Sequence, residues 1–404
     1  MCMNFKQLAI VLFLSQFATV VCADTLYSKL YSDFIAACVV SQKKKKNEAE
    51  EKKWGHITLY IHNTCVDLSS ENPKLKSCSD FHDGTWISVN AMFKNANWIA
   101  AEGWNFGLRG VLKDSHERLT AEKFTATTTQ LINTGIFNKL IYHDEWVKDK
   151  PTETNLTEYM AIKSIDMDFA ITFGRNVNCA FLPITENQRI LIINYLNRKN
   201  EEFVSPKHHH YVWSPYSNNC AHLTSNTLST LGIFAPKNTN AGYIKQLANL
   251  AVPSQVYLDV ASVADKSIDL LNPQAIVSDP TYWQLLKEYS WLPLRHGVLT
   301  ENYPAIQDND LYNTKDLNVF VLDWNPFRPK FDKFKKISKN KLAETLKTNL
   351  ETYESLYKKS QEKTSILLET TNTNHDKLVV YSHYLENQLA DIQKKKTILE
   401  KTDK

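Results

Sequence analysis

Apolar and polar positions follow several rhythms along the chain, and each rhythm predicts an element. "HITLYIHN" and "TWISVNAMF" are dense in β-branched and aromatic residues and predict two strands. "TENQRILIINYLNRKNEEF" repeats apolar residues at helical spacing behind Thr185, which suits a cap, and predicts a helix. "NCAHLTSNTLSTLG" predicts another helix, with Asn218 or Asn219 as cap and Gly232 ending it. The mixed apolar stretch 26–40 predicts a helix, and residues 124–147 predict an amphipathic one. Gly103, Gly107 and Gly110 predict turns within 98–111. "SIDMDFAITF" fits a strand or a helix, and "HHHYVW" a short extended lead-in to the "NCAHL" helix.

Residues 240–330 are mixed, with breaks at Pro253, Pro273, Pro280 and Pro293. From about Lys330 proline and glycine vanish, and Lys, Glu, Thr and Leu dominate. Leu378, Leu385, Ile392 and Leu399 recur every seven residues, with Tyr381 and Leu389 between them. This predicts a helical hairpin or short coiled coil, broken near "TTNTNHD". Such a tail packs on itself or on the domain, or serves over 335–404 as an oligomerisation stalk or a contact for a protein partner.

The chain opens "MCMNFKQLAIVLFLSQFATVVCADT", with Lys6, an apolar run over 8–21 and small residues before Asp24. That is the pattern of a secretory signal cleaved after Ala23. An uncleaved anchor or a lipoprotein site at Cys22 are the other readings. The run is short and interrupted by Ser15 and Gln16, and Val21 suits lipoprotein processing poorly. No other segment is long and apolar enough to span a bilayer. The expected organisation is a signal peptide at 1–23, a main domain at 24–330 and a helical extension at 331–404, in the periplasm or secreted. The charge run "SQKKKKNEAEEKK" reads as a solvated helix end or loop.

Charge and glycine usage narrow the function. A net charge of +3 sets no global field toward nucleic acid, and Lys outnumbers Arg, the better residue for phosphate and base readout. The glycines form neither GxGxxG nor GxxxxGK[ST], which argues against a nucleotide cradle. Neither CxxC nor HExxH occurs, and His208, His209 and His210 alternate sides in an extended chain, so no metal or other cofactor is expected.

Cysteines carry the candidate chemistry. Removing the signal leaves five: Cys38, Cys65, Cys78, Cys179 and Cys220. In an oxidising compartment an odd count leaves a thiol free. Cys65 and Cys78 flank the turn-rich "VDLSSENPKLKS" and can staple a hairpin. Cys38 with Cys179 is then the second pair, one of three connectivities, and Cys220 stays free. A helix N-terminus favours a thiolate, and its N–H groups can hold an oxyanion. A histidine base is needed beside it. The candidates are His56, His62, His82, His116, His143, His208–His210 and His222. His56 opens a predicted strand after Gly55, His62 shares its face at even spacing, and His222 points away from Cys220 on a helix.

Gly55-His56 on a strand, "NAMF" at 90–93, "GWNFGLRG" at 103–110 and Asn219-Cys220 at a helix start form a wider pattern. It resembles the bacterial Lnb N-terminal periplasmic domain family, in the circularly permuted branch of the papain-like, NlpC-type superfamily. The likeness spans about residues 50–235. It departs at position 222, where His222 replaces a small residue or Thr. Asn-Cys-x-His is instead similar to the lecithin:retinol acyltransferase-like branch, which acts on lipids.

The resemblance implies an α+β, permuted papain-like fold with the His strand before the Cys helix. It implies a thiol hydrolase or acyltransferase with Cys220 as nucleophile and His56 as general base. A polar group in the next strand, Asn90 or Ser88, would orient His56, and Asn218 or Asn219 would support the oxyanion or simply cap. The expected substrate is a peptide or acyl group, with a cell-wall peptide as one instance. The rival readings are a lipid acyl hydrolase or acyltransferase of the same fold, and a non-catalytic envelope or secreted interaction protein.

Overall fold

The computed structural model describes residues 26–41, 55–78, 83–204, 210–232, 234–237, 251–265, 268–315, 317 and 346–402. The expected signal at 1–23, the charge run after Ser41, His82, His208 and His209 lie outside these residues.

Six antiparallel strands make the central sheet. Their order is β6 (Ile99–Glu102), β5 (Thr85–Ser88), β2 (His56–Ile61), β1 (Phe34–Val40), β7 (Val177–Pro183) and β8 (Leu299–Tyr303). In β1, Val40 pairs with His56 on one side and with Val177 on the other. Here the expectation of a helix over 26–40 is corrected: α1 spans only Leu26–Leu30, and "FIAACVV" is a strand. All seven of its residues are buried. A strand covered on both faces reads as a continuous apolar run, which periodicity alone does not separate from a buried helix.

Helices dress the sheet. Ile57, Leu59 and Ile87 meet Leu223, Thr224 and Thr227 of α7 (Cys220–Ser229), and α8 (Pro253–Ala261) packs on β1 and β7. Alternation turns Tyr60 and Trp86 to the opposite face. There Trp104 of α2 (Trp104–Arg109) stacks on Trp86 and meets Tyr60 edge-on, both at 4.8 Å between ring centroids. Gly103 and Gly110, both at positive φ, bound α2, whereas Gly107 lies inside it, against the Trp86 indole.

The long helix expected over 124–147 is interrupted. α3 covers Ala121–Asn133, Gly135 turns left-handed at φ 77, a 3₁₀ turn follows at Ile136–Lys139, and α4 holds only Asp144–Val147. "SIDMDFAITF" resolves as the end of α5 (Leu156–Met167) and a turn with Ala170 at φ 50. α6 (Glu186–Glu201) forms as expected, with a capping box between Thr185 and Gln188. Two short helices, α9 (Pro273–Ser278) and α10 (Pro280–Tyr289), begin at prolines, whose fixed φ suits a first helical position.

The tail is a hairpin of α11 (Leu346–Thr370) and α12 (His375–Thr402). Its heptad residues Leu378, Leu385 and Ile392 are buried within this chain's own core. Ser360 Oγ donates to the Leu270 carbonyl at 2.6 Å, and His296 Nε2 meets Asp391 at 2.7 Å. Lys395 lies 4.4 Å from the Tyr31 ring centre.

Both expected disulfides are present. Cys38–Cys179 joins residues directly opposite each other on β1 and β7. Cys65–Cys78 closes the small β3 (Thr64–Asp67) and β4 (Lys74–Ser77) hairpin over a separation of 13 residues. Loop-closure entropy for a link of that length is worth about 3 kcal/mol. A Cys65→Ala/Cys78→Ala double variant is therefore expected to unfold at a lower denaturant midpoint with an unchanged α+β circular dichroism spectrum; an unchanged midpoint would refute the contribution.

Candidate active site

The site is built from the turn before α7 and the strands β2 and β5. Asn219 caps α7: its Oδ1 accepts the His222 N–H at 2.9 Å, and its Nδ2 donates to the carbonyls of Pro215 at 2.8 Å and Ala251 at 3.3 Å. Asn218 is not the cap. It pairs with Ser214, and its carbonyl accepts the buried Tyr211 hydroxyl at 2.8 Å. These bonds fix Cys220 as the first helical residue.

Cys220 is free and buried. Backbone N–H groups of Ile57, Ala221 and Cys220 itself favour its thiolate. Burial outweighs them and pushes the thiol up to about 11. The expectation that the helix start would lower it is corrected here: a sulfur removed from water loses more by desolvation than these N–H groups return. The Ile57 contact places the sulfur one residue from His56, at the start of β2. Among the described residues no hydrogen bond joins the thiol to the imidazole.

His56 is held through its Nε2. Its Nε2 bonds Ser88 Oγ at 2.7 Å, and Ser88 Oγ donates to Asp168 Oδ1 at 2.6 Å. With its one proton given to the carboxylate, the Ser88 oxygen accepts the Nε2–H. That tautomer leaves Nδ1 as the basic nitrogen. Of the two expected orienting residues, Ser88 touches the ring and Asn90 does not. Asn90 Nδ2 donates instead to Asp168 Oδ2, and its Oδ1 accepts the Met92 N–H at 2.8 Å. Burial, aided by the Arg175 guanidinium, pushes His56 down to about 3, so the imidazole is neutral across the physiological range. Burial lifts Asp168 to about 7, against hydrogen bonds from Ser88, Asn90 and Ser164 and the charge of Arg175.

Asp168 went unmarked in the sequence. It caps the C-terminal end of α5, 80 residues from Ser88 and 78 from Asn90. The available signal was an acid flanked by apolar residues in "DMDFAITF", which no local pattern ties to a histidine.

The other histidines stand apart from this chain of bonds. His62 follows the last residue of β2, bonds the Ser32 carbonyl at 2.8 Å and stacks on Phe34. His143 Nε2 bonds the Tyr211 carbonyl at 2.7 Å. His116 and His210 are exposed, and His222 is buried in α7. Among the described residues no three His, Cys, Asp or Glu side chains are grouped to hold a metal ion, and no helix is long and apolar enough to cross a membrane.

No protein-family model, curated protein or solved structure matches this chain.

Proposed function

We propose that the protein is a cysteine-dependent hydrolase or transferase of amide or acyl bonds, working in an oxidising compartment outside the cytoplasm. The observation that carries this reading is a free Cys220 at a helix start, bonded by the Ile57 N–H, whose neighbour along β2 is a histidine wired through Ser88 to a buried carboxylate. The two disulfides support the compartment. The permuted papain-like fold, with the likeness to the Lnb N-terminal periplasmic domain family, is part of the same proposal and rests on the order of His strand and Cys helix.

In this reading the thiol and the imidazole rest neutral. His56 Nδ1 takes the Cys220 proton as the sulfur attacks a carbonyl carbon. The Cys220 and Ala221 amides then turn from the sulfur to the new oxyanion. The imidazolium gives its proton to the leaving amine or alcohol, and water or another acceptor releases the acyl group from sulfur. Asp168 must be ionised to keep the Ser88 proton, so kcat/KM is expected to rise with pH through about 7.

A lipid or acyl-chain substrate is the second reading. It is favoured by Val212, Trp213 and Tyr216, large apolar side chains exposed just before the nucleophile.

The test is an acyl trap on the oxidised protein. An activated ester and an activated anilide, each in short- and long-chain form, are reacted with wild type, Cys220→Ser and His56→Ala, and adducts are mapped by peptide mass. A thioester at Cys220 that forms faster as pH rises through about 7, and is lost in both variants, is the expected result. Its chain-length preference separates the two readings. A Cys220 that no reagent acylates would end the enzymatic proposal.

A further inference from the structure

A cleft of about 480 Å³ opens between α6 and α7, and Cys220 is not among its walls. On α7 it is lined by His222, Leu223 and Asn226, beside the face that carries the thiol. On the α6 side it is lined by Tyr195, Lys199, Glu202 and Phe203. Lys199 Nζ bonds both carboxylate oxygens of Glu202, at 2.8 and 3.1 Å. The pair is partly exposed, so it does little for the fold and opens readily for a ligand that replaces both charges. Phe203 and Leu223 add an apolar lining. Hydrogen-bonding capacity is left over as well. The Asn97 Oδ1 at the wall meets no donor among the described residues.

We propose that this cleft binds an α-amino acid zwitterion. Its carboxylate takes Lys199, its ammonium takes Glu202, and an apolar side chain lies against Phe203 and Leu223. A free amino acid carries its two opposite charges on one carbon, which matches two side chains whose charged ends touch. A dianion would meet Glu202 with like charge, a dication would meet Lys199, and an uncharged ligand would leave both unreplaced. The volume suits a ligand of this size. The site stands apart from the thiol chemistry and does not depend on it.

The test is calorimetric titration of the full chain with L-phenylalanine, and with N-acetyl-L-phenylalanine and L-phenylalanine amide, each of which lacks one charge. The free amino acid is expected to bind saturably, and each capped form at least about tenfold more weakly. Lys199→Met and Glu202→Gln, at unchanged Tm, are expected to lose a similar factor, while Cys220→Ser binds as wild type does. Equal binding of the capped forms, wild-type affinity in both charge variants, or no saturable binding would each overturn the proposal.

Discussion

An Asp168→Asn protein is expected to keep its fold and lose roughly 10²- to 10⁴-fold of its turnover. The substitution is isosteric, and the carboxamide oxygen still accepts from Asn90. The amide NH₂ then faces Ser88, whose oxygen must accept from it. The Ser88 proton turns to His56 Nε2, and the imidazole proton moves to Nδ1, the nitrogen that should receive the thiol proton. The base is lost through its tautomer, with every ring still in place. Turnover and iodoacetamide labelling of Cys220 should therefore fall together with no loss of Tm. Wild-type rates in this variant would remove Asp168 from the mechanism.

The same variant should change how stability depends on pH. Asp168 in the folded protein titrates at about 7, above its ordinary value of 3.8. Its contribution is therefore full below about 4 and is lost as pH rises through about 7. Asp168→Asn should gain on wild type in stability above pH 7. The limb of the activity profile near 7 should vanish with it.

Gly84→Ala is expected to cost about 3 kcal/mol or more and to lower Tm by about 5 °C or more. Gly84 leads into β5 at φ +79, and a Cβ there would lie 2.4 Å from the Ile61 carbonyl oxygen and 2.8 Å from the His62 Cα. Both are backbone atoms at the end of β2, so relief requires prising apart the two strands that carry His56 and Ser88. Gly135 is the control. It has nearly the same φ, +77, but its nearest neighbour would be Leu68 Cδ1 at 3.6 Å. Gly135→Ala should cost only the backbone strain, about 1 kcal/mol. Equal melting temperatures for the two variants would show that the clash is absorbed.

The legible parts of the sequence were those governed by local chemistry. An asparagine at 218 or 219 before a helix, Thr185 as a cap, and the cysteines around a turn-rich stretch each act over a few residues, and the structure has Asn219 and Thr185 as caps and Cys65 bonded to Cys78. His56 at a strand start and Cys220 at a helix start were legible because their neighbours announce each element's type, whereas their pairing is what the family resemblance implies. β1 was misread because burial on both faces erases the alternation that marks a strand. The amphipathic pattern over 124–147 runs past the real helix end because Gly135, left-handed at φ 77, stops α3 without breaking the apolar spacing. Asp168 was invisible for a different reason: its role exists only once α5 is laid against β5, and sequence spacing does not carry that contact. The thiol's environment differs from the expected one because a helix terminus is legible in sequence and depth of burial is not.

The Cys38–Cys179 bond has a consequence for how the protein matures. Its two cysteines are 141 residues apart, yet sheet register alone brings them face to face. Among the five cysteines of the described residues, a chain oxidised before the sheet forms could leave any one over, and each choice of leftover would still allow three pairings of the other four. Once β1 and β7 are zipped together, Cys38 lies directly opposite Cys179, while Cys220 stays a buried free thiol at the start of α7. Oxidation of the folded, reduced chain is therefore expected to give Cys38–Cys179 and leave Cys220 free, whereas oxidation of the unfolded chain is expected to give mixed pairings, some of which consume the Cys220 thiol.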